Sequence, residues 1–288
     1  MNARLLITTA SVISLMMSAC TTEWYDQGEG ADPIAQKQTV TKAEEAFPGQ
    51  KGVLKTAYLD GQPIQYQEVG GENVLDSDML LMSSQLQSDP DIIVQGTGRS
   101  RTSSRWPGKV VYYTIDPALP AINQDRVKNA IAHWQANTPM RFVLRTNQAG
   151  YVVFRAGSGC SANVGYSGTV QYVNLATGCS LGNTIHEIGH TIGLYHEHTR
   201  ADRNSYVTVN MNNVTSGYEI NFQTYVERKI DGFDYQGGLD FSSIMLYSSY
   251  DFSANGLPTL TKKDGSTFVA QRTALSAADI NTVKYMYP

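Results

Sequence analysis

The sequence predicts an α+β fold, and three observations predict it. Short strand-like and helix-like runs are mixed between residues 106 and 180. Residues 200–275 show little periodicity and many turn residues, and the chain closes on a capped helical run. In order, Val110–Ile115 reads as a strand within RWPGKVVYYTID. Asn123 is placed to cap a helix whose apolar residues Val127, Ile131 and Trp134 recur at helical spacing. Arg141–Arg145, Tyr151–Arg155 and Thr169–Asn174 read as strands. The last element, LSAADINTVKYMY, starts at Ser276 with Asp279 three residues on, the spacing of a capping box.

The N-terminal third reads differently. Residues 21–50 are polar, with few apolar anchors, and are expected to be a flexible tether. YLDGQPIQYQEV reads as a short hairpin around Asp60-Gly61, and Asp76–Leu86 as one short helix. Residues 87–105 are again polar, with Arg99, Arg101 and Arg105 among small residues, and are expected to be open to proteases. This divides the chain into an appendage over 21–95 and a main domain over 96–288.

The chain has 288 residues, a net charge of −4 and a pI near 5.7. No basic field points to nucleic acid. The start, MNARLLITTASVISLMMSAC, carries Arg4, an apolar run from Leu5 to Met17 and a small-small-Cys ending. The run is short for a membrane span and has the shape of a signal peptide over 1–20. The ending resembles a bacterial lipobox, in which Cys20 would be lipidated and attach the protein to a membrane, although Met17 is unusual there. Plain cleavage near Ala19, with Cys20 incidental, is the alternative. The expected location is outside the cytoplasm of a bacterium, either secreted or as an outer-membrane or periplasmic lipoprotein. There, Cys160 and Cys179 should bridge rather than remain buried thiols. The loop they close is worth roughly 3 kcal/mol in the chain-entropy account.

Four of the five histidines fall in HEIGHTIGLYHEHTR, residues 186–200. His186 and His190 are four apart, so a helix puts both imidazoles on one face, able to grip one metal ion. Glu187 lies beside His186, towards the open side of such a metal, where a carboxylate can take a proton from a zinc-acidified water. Gly193 can end the helix in a left-handed conformation, turning the chain so that His196 becomes a third ligand. Three histidines leave a fourth position open, as in catalytic rather than closed structural zinc sites. His198, two residues beyond, is read as structural or surface-facing, and His133 as a polar-face residue.

HEIGHTIGLYHE matches the HExxHxxGxxH signature of the metzincins. The continuation Glu197-His198-Thr199-Arg200-Ala201-Asp202-Arg203 and the later Ser243-Ile244-Met245-Leu246-Tyr247 resemble the astacin family of zinc metalloproteases. RWPGKVVYYTID, RFVLRT, GSGCSANVG and QRTALSAADINTVKYMY match in order, so the resemblance spans nearly all of 96–288. It implies a metzincin fold of two subdomains, with a mixed N-terminal sheet, an active-site helix and an irregular C-terminal subdomain containing a Met-turn. It also implies one Zn2+ held by His186, His190 and His196, with Glu187 catalytic. By the same resemblance Met245 underlies the metal, and Tyr247 is a switchable fifth ligand that stabilises the transition state. The expected partners are protein or peptide substrates, and the protein is expected to be a monomer. Thr138 stands where many astacins have a further cysteine, and the chain ends at Pro288 without its partner. Only the Cys160–Cys179 bridge is then expected.

Astacin zymogens are blocked by an aspartate in a motif like F-E-G-D. Leu75-Asp76-Ser77-Asp78 resembles it in part and puts Asp78 at the ligand position, making 21–95 a propeptide. Asp76, Ser77 and Asp78 are equally ordinary helix-cap residues, and a Cys20 thiolate is a rival blocking group. Activation in the family buries a new N-terminus near the glutamate after the third histidine, here Glu197. The cut would fall around Gln95–Arg101, where Arg99 and Arg101 suit a trypsin-like trigger or simply solvate a loop. Several astacins favour an acidic residue just after the cut, and Lys263 or Lys262 would supply the matching charge, unless both are loop lysines. Two other functions stand beside the protease. A zinc-binding surface lipoprotein without catalysis needs neither Glu187 nor Tyr247, and a gluzincin would take a later glutamate where His196 stands.

Overall fold

The computed structural model describes residues 45–59, 62–87, 102–235 and 237–288. The signal-peptide segment, Cys20, the Asp60-Gly61 turn and the arginines Arg99 and Arg101 lie outside these residues, as does the cut expected around 95–101. Among the described residues, twelve strands run in chain order: β1 (Val53–Leu59), β2 (Gln62–Val69), β3 (Glu72–Leu75), β4 (Met79–Leu81), β5 (Leu86–Gln87), β6 (Val110–Ile115), β7 (Arg141–Leu144), β8 (Tyr151–Arg155), β9 (Cys160–Asn163), β10 (Val170–Leu175), β11 (Val207–Val209) and β12 (Leu260–Lys262). Three helices accompany them: α1 (Ala121–Asn137), α2 (Leu181–Ile192) and α3 (Ala277–Met286). None is long and apolar enough to cross a membrane.

Ten strands form one sheet in the order β5-β1-β2-β3-β4-β9-β10-β8-β6-β7. Strands β7, β6, β8 and β10 are parallel, which the crossover through α1 makes feasible, and β9 turns back antiparallel to β10. The helices α1 and α2 cover this half. Val127, Ala130, Ile131 and Trp134 of α1 share a core with Val111, Phe154 and Val173 of the sheet and Ile185, Ile188 and Ile192 of α2. Trp134 buries its ring fully and donates its indole N–H to the Ile185 carbonyl at 3.0 Å, which fixes α2 against α1.

Three expectations change. Asn123 does not cap α1: Pro120 holds the N-cap position without a side-chain cap, and Asn123 is buried in the first turn. Its amide donates to the carbonyls of Leu175 and Ala176, tying α1 to the end of β10. Asp76–Leu86 does not form a helix. Asp76 and Ser77 take positive φ (51° and 67°), which turns the chain and lets Met79–Leu81 run as a strand beside β9. Tertiary pairing overrides the local cap signal there. The tether expected over 21–50 is packed at its end: Glu45 and Ala46 are buried, and the Ala46 amide donates to the Ser77 carbonyl.

Residues 45–87 therefore continue the sheet as a five-strand addition rather than hanging from it. Met79 faces Ala162 and Leu80 faces Asn163 in parallel register. Leu59, Ile64, Leu75, Met79 and Leu81 share a buried cluster with Val164, Tyr195, Tyr225 and Ile230. Beyond α2 the chain is irregular, as the sequence predicts, with short 3-10 turns and the β11–β12 pair before α3. The capping box at Ser276 forms as expected. Cys160 and Cys179 are bonded, linking β9 to the start of α2.

Candidate active site

Helix α2 carries the first two histidines. Its N-terminus is closed by Ser180, which accepts the Asn183 amide at 3.1 Å, and its C-terminus by Gly193 at φ 108°. That left-handed geometry suits glycine and ends the helix one turn after His190, as the spacing predicts. The chain then returns His196 to the same point. All three histidines are fully buried.

The tautomers follow from the partners. His186 Nδ1 lies 2.8 Å from the Ile244 carbonyl, and His190 Nδ1 lies 2.8 Å from the Leu194 carbonyl. A carbonyl only accepts, so each Nδ1 carries the proton and each Nε2 keeps its lone pair. These lone pairs converge on Asp78. His196 Nε2 is 3.2 Å and His186 Nε2 3.4 Å from Asp78 Oδ2, and His190 Nε2 is 3.7 Å from Asp78 Oδ1. Ligands at about 2.0–2.1 Å around a tetrahedral zinc stand about 3.3–3.4 Å apart. The four ligand atoms lie within 4.8 Å of one another. Among the described residues, His190 Nε2 and Asp78 Oδ1 have no hydrogen-bond partner although both are buried. The donor set and these orphaned atoms fit one zinc ion. Burial alone would raise the Asp78 carboxyl, yet the imidazoles around it, His196 foremost, hold it well below the usual carboxylate range.

The Met-turn forms the floor. Gly189 has no side chain, and a Cβ there would stand 2.7 Å from Met245 Sδ. Met245 thus packs directly under α2, and its carbonyl accepts the Glu197 amide at 2.9 Å. Asp279 of α3 holds the turn from behind. It accepts from the Ser243 hydroxyl (2.6 Å) and the Ile244 amide (3.0 Å) while also serving the Ser276 cap. Ile244 is in turn the residue that orients His186.

Tyr247 is buried with its ring centroid 4.5 Å from that of His196. Its hydroxyl donates to the Asp76 carbonyl (2.9 Å) and lies 3.0 Å from Ser77 Oγ. Burial first, then Asp78 and Asp76, push this phenol well above its ordinary range, so it is a proton donor at neutral pH. His198 is fully buried rather than at the surface: it stacks on Tyr247 at 4.0 Å and donates Nε2–H to the Asn221 carbonyl. Burial and the neighbouring His196 keep it neutral.

Glu187 lies on α2 beside His186, fully buried. Glu197 lines a pocket of about 30 Å³ with Leu194, Arg200, Phe233, Met245 and Asp279. Burial pushes its carboxyl up to about 8, against the Asp240 amide and Arg200. Lys262 lies over the Phe241 ring at 4.8 Å, and Lys263 beside it is exposed. Neither makes a described contact with the histidine cluster. Sequence reasoning missed Asp76 and Arg228, a buried ion pair at the cluster's edge, with Asp76 Oδ2 3.6 Å from His196 Nδ1. The acidic pair Asp76 and Asp78 was the available signal, and helix capping explained it equally well.

The family model for astacin peptidases matches residues 98–288. Blastula protease 10 of Paracentrotus lividus is 37% identical over 227 residues, covering 73% of this chain and 37% of that protein. Nematocyst expressed protein 6 of Nematostella vectensis is 32% identical over 255 residues, covering 82% of this chain and 83% of that protein. This chain spans about two fifths of the length of blastula protease 10 and of protein SpAN of Strongylocentrotus purpuratus. High choriolytic enzyme 1, a hatching enzyme zinc-protease from Oryzias latipes, superposes with a TM-score of 0.58 at 28% identity, over 64% of this chain and 92% of that one. With the HExxHxxGxxH helix, the buried histidine triad and the Met-turn in place, the chain belongs to the astacin family of zinc-dependent metallopeptidases.

Proposed function

We propose that this chain is a zinc endopeptidase that cuts protein or peptide substrates, made in a latent form in which residues 45–87 fill the cleft. The observation that carries the reading is the convergence of three histidine Nε2 atoms on Asp78, at the position a fourth ligand would take. A bound zinc would supply Lewis acidity and lower the pKa of water in the open position to about 7. His186, His190 and His196 hold the ion, the first two oriented by the carbonyls of Ile244 and Leu194. Glu187 moves the proton from water to the leaving amine. Tyr247, released from the Asp76 carbonyl when the segment leaves, donates to the developing oxyanion.

In the latent chain Asp78 takes the fourth position, and β4 pairs along β9, the strand against which an extended substrate would otherwise lie. Cys20 as the blocking group is less supported, because Asp78 already stands at the cluster. Residues 1–20 are read as an export signal and 21–95 as the propeptide, with 96–288 as the catalytic domain. Glu197, buried in its pocket, is suited to receive the ammonium of the new N-terminus. The protein is then secreted, or held on a bacterial envelope through a lipid on Cys20, and acts as a monomer.

Casein cleavage by the purified chain, before and after light trypsin treatment and beside Glu187→Gln, tests this. Activity that appears only on trimming and is absent in the variant is expected. A trimmed protein that binds one zinc and cuts nothing would favour a zinc-binding surface protein instead.

A further inference from the structure

His198 is the one histidine of the 186–200 segment that takes no part in the metal cluster. The short 3-10 turn Glu197–Thr199 leads it away from His196. Its ring is fully buried, and Nε2–H donates to the Asn221 carbonyl at 2.8 Å. A carbonyl only accepts, so the proton sits on Nε2 and Nδ1 keeps its lone pair. That Nδ1 has no hydrogen-bond partner among the described residues. The His198 carbonyl accepts from Arg203 Nη1 at 3.1 Å, and the Phe222 ring lies 6.0 Å from the imidazole. Every group that anchors His198 thus belongs to 96–288.

Tyr247 is held in two ways, by different parts of the chain. Its hydroxyl meets the Asp76 carbonyl and Ser77 Oγ, both on the inhibitory segment. Its ring rests against His198, His196, Phe252 and Phe222, at centroid distances of 4.0, 4.5, 5.5 and 6.2 Å. None of these four belongs to 45–87. His198 is the nearest of them and the most nearly parallel, at 28° against 56°, 40° and 77°. Removing 45–87 takes away both partners of the hydroxyl and none of the ring. The hydroxyl is then free to reach a reacting oxygen, and the position of the ring rests on the stack. The only N–H of His198 is spent on Asn221, so the imidazole offers the phenol a face and not a donor. It holds the ring without tethering the hydroxyl.

We propose that His198 is the positioning residue for Tyr247: its anchored ring is the surface along which the phenol moves from the inhibitory segment to the oxyanion, and it acts on the reaction only through Tyr247. The assignment rests on the peptidase reading above, in which Tyr247 supports the oxyanion. It gives a task to a buried histidine that the zinc does not need.

The test is a double-mutant cycle in the trimmed enzyme. His198→Gln keeps an N–H for the Asn221 carbonyl but removes the ring face. It should lower kcat about tenfold, with KM within about twofold of the wild type and one zinc still bound. In a Tyr247→Phe chain the same change should alter kcat by less than about twofold, because no hydroxyl is left to position. His198→Phe restores a ring face and should keep kcat within about threefold of the wild type. An unchanged kcat in His198→Gln, the tenfold loss repeated in the Tyr247→Phe chain, or a His198→Phe enzyme as slow as His198→Gln would each overturn the assignment. A second readout needs no catalysis. The Tyr247 ring-proton resonances, identified by their loss in Tyr247→Phe, should lie upfield in the trimmed wild type through the ring current of the stacked imidazole, and move downfield in His198→Gln. Resonances that stay in place overturn the role of His198, whereas resonances that move, in a trimmed protein that cuts nothing, sink only the catalytic reading.

Discussion

Two parts of the chain reach the same point in different ways. The histidine segment arrives from within one helix and the turn after it. Its side chains are oriented by carbonyls two turns or fewer away or by the Met-turn, and α2 is tied to β9 by the disulfide. The 72–81 hairpin arrives from more than a hundred residues away. It is held by strand pairing with β9, an apolar cluster, the Tyr247 hydroxyl and the Arg228 pair. The first set of contacts involves no residue of 45–87, whereas the second depends on them. If the second region closes a site that the first builds, as proposed, zinc affinity and latency should be separable by mutation.

The largest separation is expected at Glu187. Glu187→Gln should lower kcat/KM of the trimmed enzyme by about 10²–10⁴, with one zinc still bound per chain by metal analysis. Loss of the zinc together with the activity would place Glu187 among the groups that build the site. Tyr247→Phe comes next, at about 10²–10³ in kcat for loss of an oxyanion donor. It touches both regions, so the intact variant should also lose the hydrogen bond to Asp76 and be trimmed faster by trypsin. An unchanged kcat would confine Tyr247 to closing the latch.

Cys160→Ala with Cys179→Ala weakens the building region alone. About 3 kcal/mol is expected, a fall of about 6–12 °C in Tm, and calorimetry would read it. The smallest effect is expected at Met245→Leu, under about 1.5 kcal/mol, because the volume under Gly189 is nearly conserved. A large loss of zinc in that variant would show that the sulfur matters beyond packing.

The same contrast explains what was legible in the sequence. The building region is local, so its chemistry is written in spacing: His186 and His190 at i, i+4, Gly193 at the helix end, and Ser276 with Asp279 at the last cap. Each signal lies within a few residues of what it specifies. The closing region is not local. Nothing near Met79–Leu81 announces a strand, because its partner β9 lies much later in the chain, and Asp76 and Ser77 look like helix caps until their positive φ is seen. Asn123 reads as a cap for the same reason, and the end of β10, which it grips, is invisible from its neighbours. The Arg228–Asp76 pair was not legible either, because Arg228 reaches the cluster's edge from an irregular stretch with no periodicity to place it.

The most direct measurement is proteolysis by the intact, untrimmed chain carrying Asp78→Ala, with zinc content determined on the same sample. Removing the acid at the fourth position while His186, His190 and His196 remain should leave one zinc bound and give casein cleavage without trypsin, and Glu187→Gln added to the same chain should abolish it. An Asp78→Ala chain that stays inactive until trimmed, with one zinc bound, would contradict the account by showing that the segment blocks the cleft without Asp78 closing the metal site.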